Sequence, residues 1–191
     1  MGKLICSGIM SLDGYIADEH GDFSWAAPDE EVHTFINELE RPVGTYLYGR
    51  RMYEVMRYWD TADESPEQPE VEREYTALWK AADKIVYSST LEQVTTARTR
   101  LERQFDPEAL QRMKTVSERD LTISGPNLAA HAIRAGLVDE FRMFLSPVFV
   151  GGGTRFLPDG VHVRLERIEE RGFDNGFVFV RYGIRESDHG A

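Results

Sequence analysis

The chain contains 191 residues, 41% of them hydrophobic, which suits a single domain with one substantial core over residues 1–191. Its formal net charge of -11 repels phosphate backbones and anionic membranes, so we expect neither nucleic acid nor a membrane as a partner. The one cysteine, Cys6, excludes a disulfide within the chain and a paired-thiol metal site. We expect a cytoplasmic protein, because Asp13 and Gly14 break the first apolar run short of the roughly 20 residues that cross a bilayer. We expect no bound metal, because His33, His131 and His162 have no metal-like spacing.

Predicted strands and helices alternate through the first two thirds of the chain. The apolar run 4–10 predicts a central strand and 15–17 a short second strand. After Pro28, apolar residues at helical spacing predict a helix that includes Val32, Phe35, Ile36 and Leu39. Further strands are predicted at 46–48, 84–90 and 120–124, further helices at 52–56, 71–82, 107–114 and between Pro126 and Gly136, and an exposed acidic loop at 61–70.

The last third of the chain has a different pattern. Three strands are predicted at 141–149, 167–173 and 177–184, and Asn175-Gly176 between the last two is a strong hairpin signal. The alternating part favours a largely parallel sheet covered on both faces. The sequence therefore predicts an α/β fold with a mixed, mostly parallel sheet and a C-terminal antiparallel hairpin.

Three short segments have the composition of a phosphate-binding site. Residues 124–128 lead from a predicted strand into a helix, whose first amides can bind an anion. The adjacent arginines Arg50 and Arg51 follow Gly49 at another strand-to-helix junction and suit a pyrophosphate or a ribose phosphate. Residues 88–90 offer three hydroxyl groups after a strand. Each segment alone is also explained as an ordinary turn or a solvated helix start.

In this order, several segments resemble the dihydrofolate reductase superfamily: 11–17 (SLDGYIA), Trp25, 49–54 (GRRMYE), 88–90 (SST), 124–126 (SGP), 136–140 (GLVDE) and 147–153 (PVFVGGG). The last two point to the branch that contains the C-terminal reductase domain of the riboflavin-pathway deaminase-reductase. The resemblance covers residues 3–184 and implies a three-layer α/β/α fold that binds NADPH. The zinc ligands of the deaminase domain are missing from the sequence, so the chain is not the bifunctional enzyme.

The resemblance also implies a role for each matching position. The residues implied to bind the adenosine side of NADPH are Gly49, Arg50, Arg51, Ser88, Ser89 and Thr90. Those implied to receive the pyrophosphate are Ser124, Gly125, Pro126, Asn127 and Leu128. Ile16 and Ala17 would line the nicotinamide, and the residues implied on the substrate side are Gly8, Ile9, Asp13 and Trp25. The chain departs from the family at Ser124, where a second glycine is common, and at Met52, where dihydrofolate reductases have threonine.

The spacing after Trp25 resembles the dihydrofolate reductase pattern of tryptophan, proline and a substrate-binding carboxylate. It gives Glu30 the carboxylate position, with Asp29 and Glu31 as neighbours that can replace it. Acidic residues are also favoured at any helix N-terminus by the helix dipole. The candidate catalytic residues are therefore Glu30 and Asp29.

The implied activity is hydride transfer from NADPH to a small heterocyclic or ribosylaminopyrimidine-like substrate, as in 5-amino-6-(5-phosphoribosylamino)uracil reductase, with a carboxylate or water supplying the proton. The alternatives are a dihydrofolate reductase proper and a non-catalytic nucleotide-binding protein on the same fold. We expect a homodimer, because relatives commonly associate and because residues 141–184 carry more aromatic side chains than we expect one domain to bury.

Overall fold

The computed structural model describes residues 1–185. Its strands are β1 (Leu4–Ser11), β2 (Tyr15–Ala17), β3 (Val43–Gly49), β4 (Asp83–Tyr87), β5 (Thr99–Glu102), β6 (Asp120–Ser124), β7 (Glu140–Ser146), β8 (Thr154–Arg155), β9 (Leu165–Gly172) and β10 (Val178–Ile184). Its α-helices are α1 (Glu30–Glu40), α2 (Arg50–Met56), α3 (Glu70–Ala81), α4 (Pro107–Val116) and α5 (Pro126–Arg134). None of the helices in this part of the chain has the length and apolar character needed to cross a membrane.

Eight strands form one sheet in the order β5-β4-β3-β6-β1-β7-β10-β9. All neighbours from β5 to β7 run parallel, and β10 pairs antiparallel with both β7 and β9. The predicted mixed, mostly parallel sheet with an antiparallel finish is therefore confirmed. Strands β2 and β8 form a separate antiparallel pair.

Helices cover both faces of the sheet, which gives the predicted three layers. On one face, α2 and α3 pack over β3 and β4 around the fully buried Trp79 and Tyr48. On the same face, α1 packs over β7 and β10 through a cluster of phenylalanines that includes Phe35, Phe144 and Phe179. The opposite face is covered by α4 and α5, whose apolar residues pack on the central strands β1, β3 and β6.

Two predicted strands end earlier than their sequence suggests. Strand β4 ends at Tyr87 rather than residue 90, because the Ser88 hydroxyl oxygen accepts hydrogen bonds from the amides of Thr90 and Leu91 and so closes a turn. Strand β7 ends at Ser146 rather than residue 149, immediately before Pro147. Both corrections move polar or exposed residues out of the sheet and into loops at its edge.

Other elements were absent from the prediction or different from it. Strands β5 and β8 have four and two residues, too short for an alternating pattern to be visible. The predicted exposed loop 61–70 contains a short 3₁₀ helix, Ala62–Glu64, and it buries Ala62 and Gln68. It is therefore partly packed against the body of the domain.

The aromatic residues of the C-terminal strands are buried within the chain itself. Phe141, Phe144, Phe173, Phe177 and Phe179 are all at most 7% exposed. The argument that these strands carry more aromatic side chains than one domain buries is therefore wrong, because α1 covers most of them. Homodimer formation stays a prediction that rests on the resemblance alone.

Candidate functional site

The space outside the carboxyl ends of β3 and β6, called the crevice below, is bordered by the turns that begin α2 and α5. The two strands lie side by side and parallel, but α2, which follows β3, packs on one face and α5, which follows β6, packs on the other. Ligands of open α/β sheets bind where the connections after two neighbouring strands go to opposite faces of the sheet. The two turns touch, since a Cβ atom built on Gly125 would lie 3.6 Å from the Gly49 backbone nitrogen.

The turn before α5 is shaped to receive an anion. Gly125 has φ of 100° and ψ of 119°, a left-handed conformation that favours glycine, and no side chain caps the helix that it precedes. Pro126 occupies the first helical position and has no amide hydrogen, so Asn127 and Leu128 present the first free amides. The Leu128 side chain is buried in the core, which leaves its backbone as the part available to a ligand.

Arg50 and Thr90 meet beside this crevice. The Arg50 Nη1 atom donates to Thr90 Oγ1 at 3.0 Å, which joins the start of α2 to the turn after β4. Arg50 Nε also lies 2.8 Å from Glu54 Oε1, and the arginine side chain keeps 48% of its surface exposed. The exposed Arg51 and Ser89 flank this pair. A guanidinium and two hydroxyl groups thus occupy one exposed corner, which suits a phosphate group.

Ser88 has a different role from its two neighbours. Its side chain is buried at 9% exposure, and its hydroxyl oxygen already accepts the two amide hydrogen bonds that close the turn. Ser88 therefore shapes the turn, whereas Ser89 and Thr90 are exposed at its tip.

Two residues of this corner were not identified from the sequence. The Tyr53 hydroxyl group on α2 lies 2.9 Å from the Thr95 amide and 3.3 Å from the Thr96 amide, and so accepts hydrogen bonds from the loop between β4 and β5. Arg103, just after β5, binds the first part of the same loop. Tyr53 belongs to the GRRMYE segment and was visible there, but Arg103 follows a strand that the prediction lacked.

The residues predicted beside the nicotinamide lie on β1 and β2, but they do not all face the same side of the sheet. Gly8 leaves room for an aromatic ring, since a Cβ atom at this position would lie 2.8 Å from Phe156 Cε2. Ile16 packs against the cluster that contains Phe156. Ile9 instead faces the phenylalanine cluster under α1. Gly8 and Ile9 therefore lie on opposite faces of the sheet and do not line one surface together.

Strand β8 holds β2 in place. Ala17 pairs with Thr154, and a Cβ atom built on Gly153 would overlap the Ala17 carbonyl oxygen at 2.2 Å. Gly153 also has φ of 119°, so this close approach requires glycine. The triple glycine of the sequence thus allows one chain segment to lie against the residues predicted to contact the nicotinamide.

The Asp13 carboxylate connects two loops at the same edge. It accepts hydrogen bonds from the Ser11 hydroxyl group at 2.6 Å and from the Gly151 amide at 2.8 Å, with the Val150 amide at 3.2 Å. The Ser11 hydroxyl group, followed by the Gly151 and Val150 amides, holds the pKa of Asp13 below its usual value. Both oxygens are occupied by the protein, so Asp13 fixes the 147–153 loop, and its contact with a substrate stays a prediction.

Trp25 lines a pocket of about 340 Å³ together with Asp18, Val148, Phe149 and Val150. Its carbonyl oxygen accepts a hydrogen bond from the Ser146 hydroxyl group at 3.2 Å, which ties the segment before α1 to the end of β7. The Phe149 side chain is 78% exposed at the rim of this pocket. The pocket is open to solvent, and its volume lies in the range of small-molecule sites.

The three acidic residues at the start of α1 do not converge on the crevice. Asp29 is the N-cap, and its carboxylate accepts from the Val32 amide at 3.0 Å. Glu31 pairs with Arg171 at 3.0 Å. Glu30 lies with Glu31, Thr34 and Glu38 along the outer groove of the helix, whereas the buried stripe of α1 begins at Val32. Sequence spacing located the helix start correctly but not the direction of these side chains.

Comparisons with known proteins agree with this architecture. The chain matches the family model of the RibD C-terminal domain over residues 2–179. It is 27% identical over 184 residues to the uncharacterized protein YyaP of Bacillus subtilis (strain 168), with 94% of each chain covered.

Among solved structures, a protein from Shewanella sp. PV-4 described as a riboflavin biosynthesis protein matches with a TM-score of 0.75 and 19% identity, over 96% of this chain and 99% of that chain. Dihydrofolate reductase from Enterococcus faecalis, complexed with NADP(H) and RAB-propyl, matches with a TM-score of 0.62 and 16% identity, over 97% of this chain and 98% of that chain. The chain therefore belongs to the RibD C-terminal domain family, a family of reductase domains with the dihydrofolate reductase fold.

Proposed function

We propose that this protein is an NADPH-dependent reductase that binds its cofactor across the crevice between β3 and β6. The observation that carries the proposal is the Arg50–Thr90 contact beside the touching turns of Gly49 and Gly125. The Arg50 guanidinium and the Thr90 hydroxyl group thus border the same crevice as the start of α5, whose free amides can bind an anion. The chain as a whole is acidic, so this local cation stands out. A cation with hydroxyl groups suits the additional phosphate of such a dinucleotide, and the free amides of a helix start suit its pyrophosphate.

The proposal gives each part of NADPH its own group of residues. Arg50, with the Ser89 and Thr90 hydroxyl groups, would hold the 2′-phosphate, and Gly49 and Arg51 would border the adenosine. The uncapped amides of α5 would receive the pyrophosphate. Gly125 permits its close approach, because glycine has no side chain and adopts the positive φ of this turn without strain. Ile16 and Ala17 would lie against the nicotinamide. Ser124 does not obstruct this arrangement, because its hydroxyl group points to the Ser7 carbonyl oxygen at 3.4 Å.

NADPH supplies a hydride when it is bound, so the protein's own task is to orient the cofactor and the substrate. The Trp25 pocket beside Ala17 and the 147–153 loop would receive a small heterocycle such as a ribosylaminopyrimidine. Glu30 faces the outer groove of α1, and Asp29 is engaged as the helix cap. We therefore assign the proton to water, and we assign neither carboxylate to proton transfer.

The proposal also includes a cytoplasmic homodimer. Its support is the resemblance together with exposed apolar side chains on the edge strand β9 and its neighbour β10, where Ile168, Val178 and Ile184 are 49%, 39% and 37% exposed. Light scattering at tens of micromolar protein tests it. A mass near the 21.8 kDa of one chain would contradict it.

The activity is tested by following NADPH oxidation with 5-amino-6-(5-phosphoribosylamino)uracil and with dihydrofolate. We expect oxidation that depends on both substrate and protein and that falls by about tenfold or more in Arg50→Ala at subsaturating NADPH. Oxidation with dihydrofolate alone would favour a dihydrofolate reductase proper. NADPH binding without oxidation by any heterocyclic substrate would favour the non-catalytic alternative.

A further inference from the structure

The loop between β4 and β5 begins with the proposed 2′-phosphate residues and depends on one arginine outside it. Residues 88–95 form neither a helix nor a strand, so their carbonyl groups lack the regular backbone partners of such elements. Arg103 Nη1 donates to the carbonyl oxygens of Ser88 at 3.3 Å and Leu91 at 2.5 Å, and its Nη2 donates to that of Glu92 at 3.3 Å. One guanidinium therefore binds both ends of the segment that contains Ser89 and Thr90.

The hydrogen bonds from Arg103 help to hold the Ser88–Glu92 segment in its bend. The Ser88 hydroxyl oxygen closes the turn from inside by accepting two amides, and Arg103 holds the carbonyls on the outside. A guanidinium is planar and presents its donors as a rigid fork, so it fixes the relative positions of three carbonyl groups in a way that an ammonium group does not. Without it, Thr90 loses the support that keeps its hydroxyl group beside Arg50.

Arg103 also contributes charge. Its partners are neutral carbonyl groups, and within residues 1–185 it forms no ion pair with a carboxylate. Its positive charge is therefore not cancelled locally, whereas Arg50 shares its charge with Glu54 and Arg100 shares its charge with Glu102. Arg103 thus adds a positive charge to the corner where Arg50 and Arg51 lie.

We propose that Arg103 is a positioning residue that sets the preference for NADPH over NADH by holding the Ser88–Glu92 segment against Arg50. The inference rests on the proposed function, because it concerns the same 2′-phosphate corner. It does not require Arg103 to touch the phosphate. Its effect on affinity comes mainly from geometry, with the charge as a smaller contribution.

The test is to measure the dissociation constants of NADPH and NADH by fluorescence titration for Arg103→Gln, Arg103→Lys and the control Arg100→Gln. Arg100 lies on β5, and its recorded ion pair is with Glu102 rather than with the loop. We expect Arg103→Gln to weaken NADPH binding about five- to tenfold while NADH binding changes less than about twofold. Arg103→Lys should recover only a small part of the NADPH affinity, and Arg100→Gln should leave the ratio unchanged.

Three results would overturn the inference: an unchanged NADPH to NADH ratio in Arg103→Gln, an equal loss of both cofactors, or full recovery by lysine. The last result would show that charge alone matters. Failure of the proposed function looks different, because the unmodified protein would then bind NADPH and NADH equally and Arg50→Ala would change neither. If Arg50→Ala abolishes the preference and Arg103→Gln does not, only the role of Arg103 is wrong.

Discussion

Replacing Gly125 with alanine tests whether the turn before α5 is built for close approach to a ligand. The φ of 100° and ψ of 119° are accessible to glycine but strained for alanine. The added Cβ atom would lie 3.5 Å from the Met52 Cβ atom and 3.6 Å from the Gly49 nitrogen, which are ordinary van der Waals distances. The cost of the substitution is therefore backbone strain rather than overlap.

Strain of this kind costs about 1–3 kcal/mol. For a chain of this size it corresponds to a fall in the melting temperature of roughly 2–12 °C. If the turn relaxes to relieve the strain, the first amides of α5 change direction, so we expect NADPH affinity to fall by about tenfold, or ~1.4 kcal/mol. Thermal unfolding and NADPH titration of the same preparation measure the two effects.

Gly160→Ala is the matched control, because Gly160 also has positive φ, at 74°, and a Cβ atom there would meet nothing within 4 Å. It should lose about 1 kcal/mol of stability and keep its NADPH affinity. The reasoning is refuted if Gly125→Ala keeps both its melting temperature and its affinity. An equal loss of affinity in Gly160→Ala would show that the effect is not local to the turn.

Four further substitutions have expected outcomes. Glu54→Gln should strengthen NADPH binding about twofold in a titration, because it releases Arg50 from an ion pair of the kind that contributes about 0.3–0.5 kcal/mol. Asp29→Ala should destabilise the protein by about 1 kcal/mol through loss of the helix cap. Glu30→Gln should leave turnover within about twofold of the unmodified protein. A large loss of turnover in Glu30→Gln would restore Glu30 as a catalytic residue. Burial raises the pKa of Glu40 to about 7, so its contribution to stability is fully present below about pH 4.5 and is lost as the pH rises to about 7. Glu40→Gln should remove up to about 3 kcal/mol of this pH dependence in urea unfolding between pH 4 and 8, and an unchanged slope would contradict the assignment.

The turns of the proposed cofactor site could be predicted because their residues have local consequences for the backbone. Proline has a fixed φ that suits the first position of a helix, and a glycine before it permits a positive φ, so the turn at residues 124–128 is indicated by its own residues. Gly125 and Arg50 are therefore visible as strand-to-helix turns before any tertiary structure is known. The approach of the Gly125 turn to Gly49 is a further step, and it follows from the parallel pairing of β3 with β6.

The parts that were missed depend on contacts between distant segments. The Asp13 carboxylate binds amides at Val150 and Gly151, more than a hundred residues away, and no local pattern records this. Arg103 was hidden because β5 has four residues and follows an irregular loop. The direction of Glu30 was also not determined by spacing, since the orientation of α1 is set by which of its faces packs on the phenylalanine cluster.

The most direct test of the proposed site is calorimetric titration of the unmodified protein and of Arg50→Ala with NADPH and NADH at low salt. The site predicts saturable binding of one NADPH per chain, about 10- to 100-fold tighter than NADH, as expected for charge-assisted bonds worth about 1.5–3 kcal/mol. In Arg50→Ala most of this difference should disappear, while NADH binding is retained. Equal affinity for the two cofactors in the unmodified protein, or no binding of either, would contradict the assignment of the β3–β6 crevice.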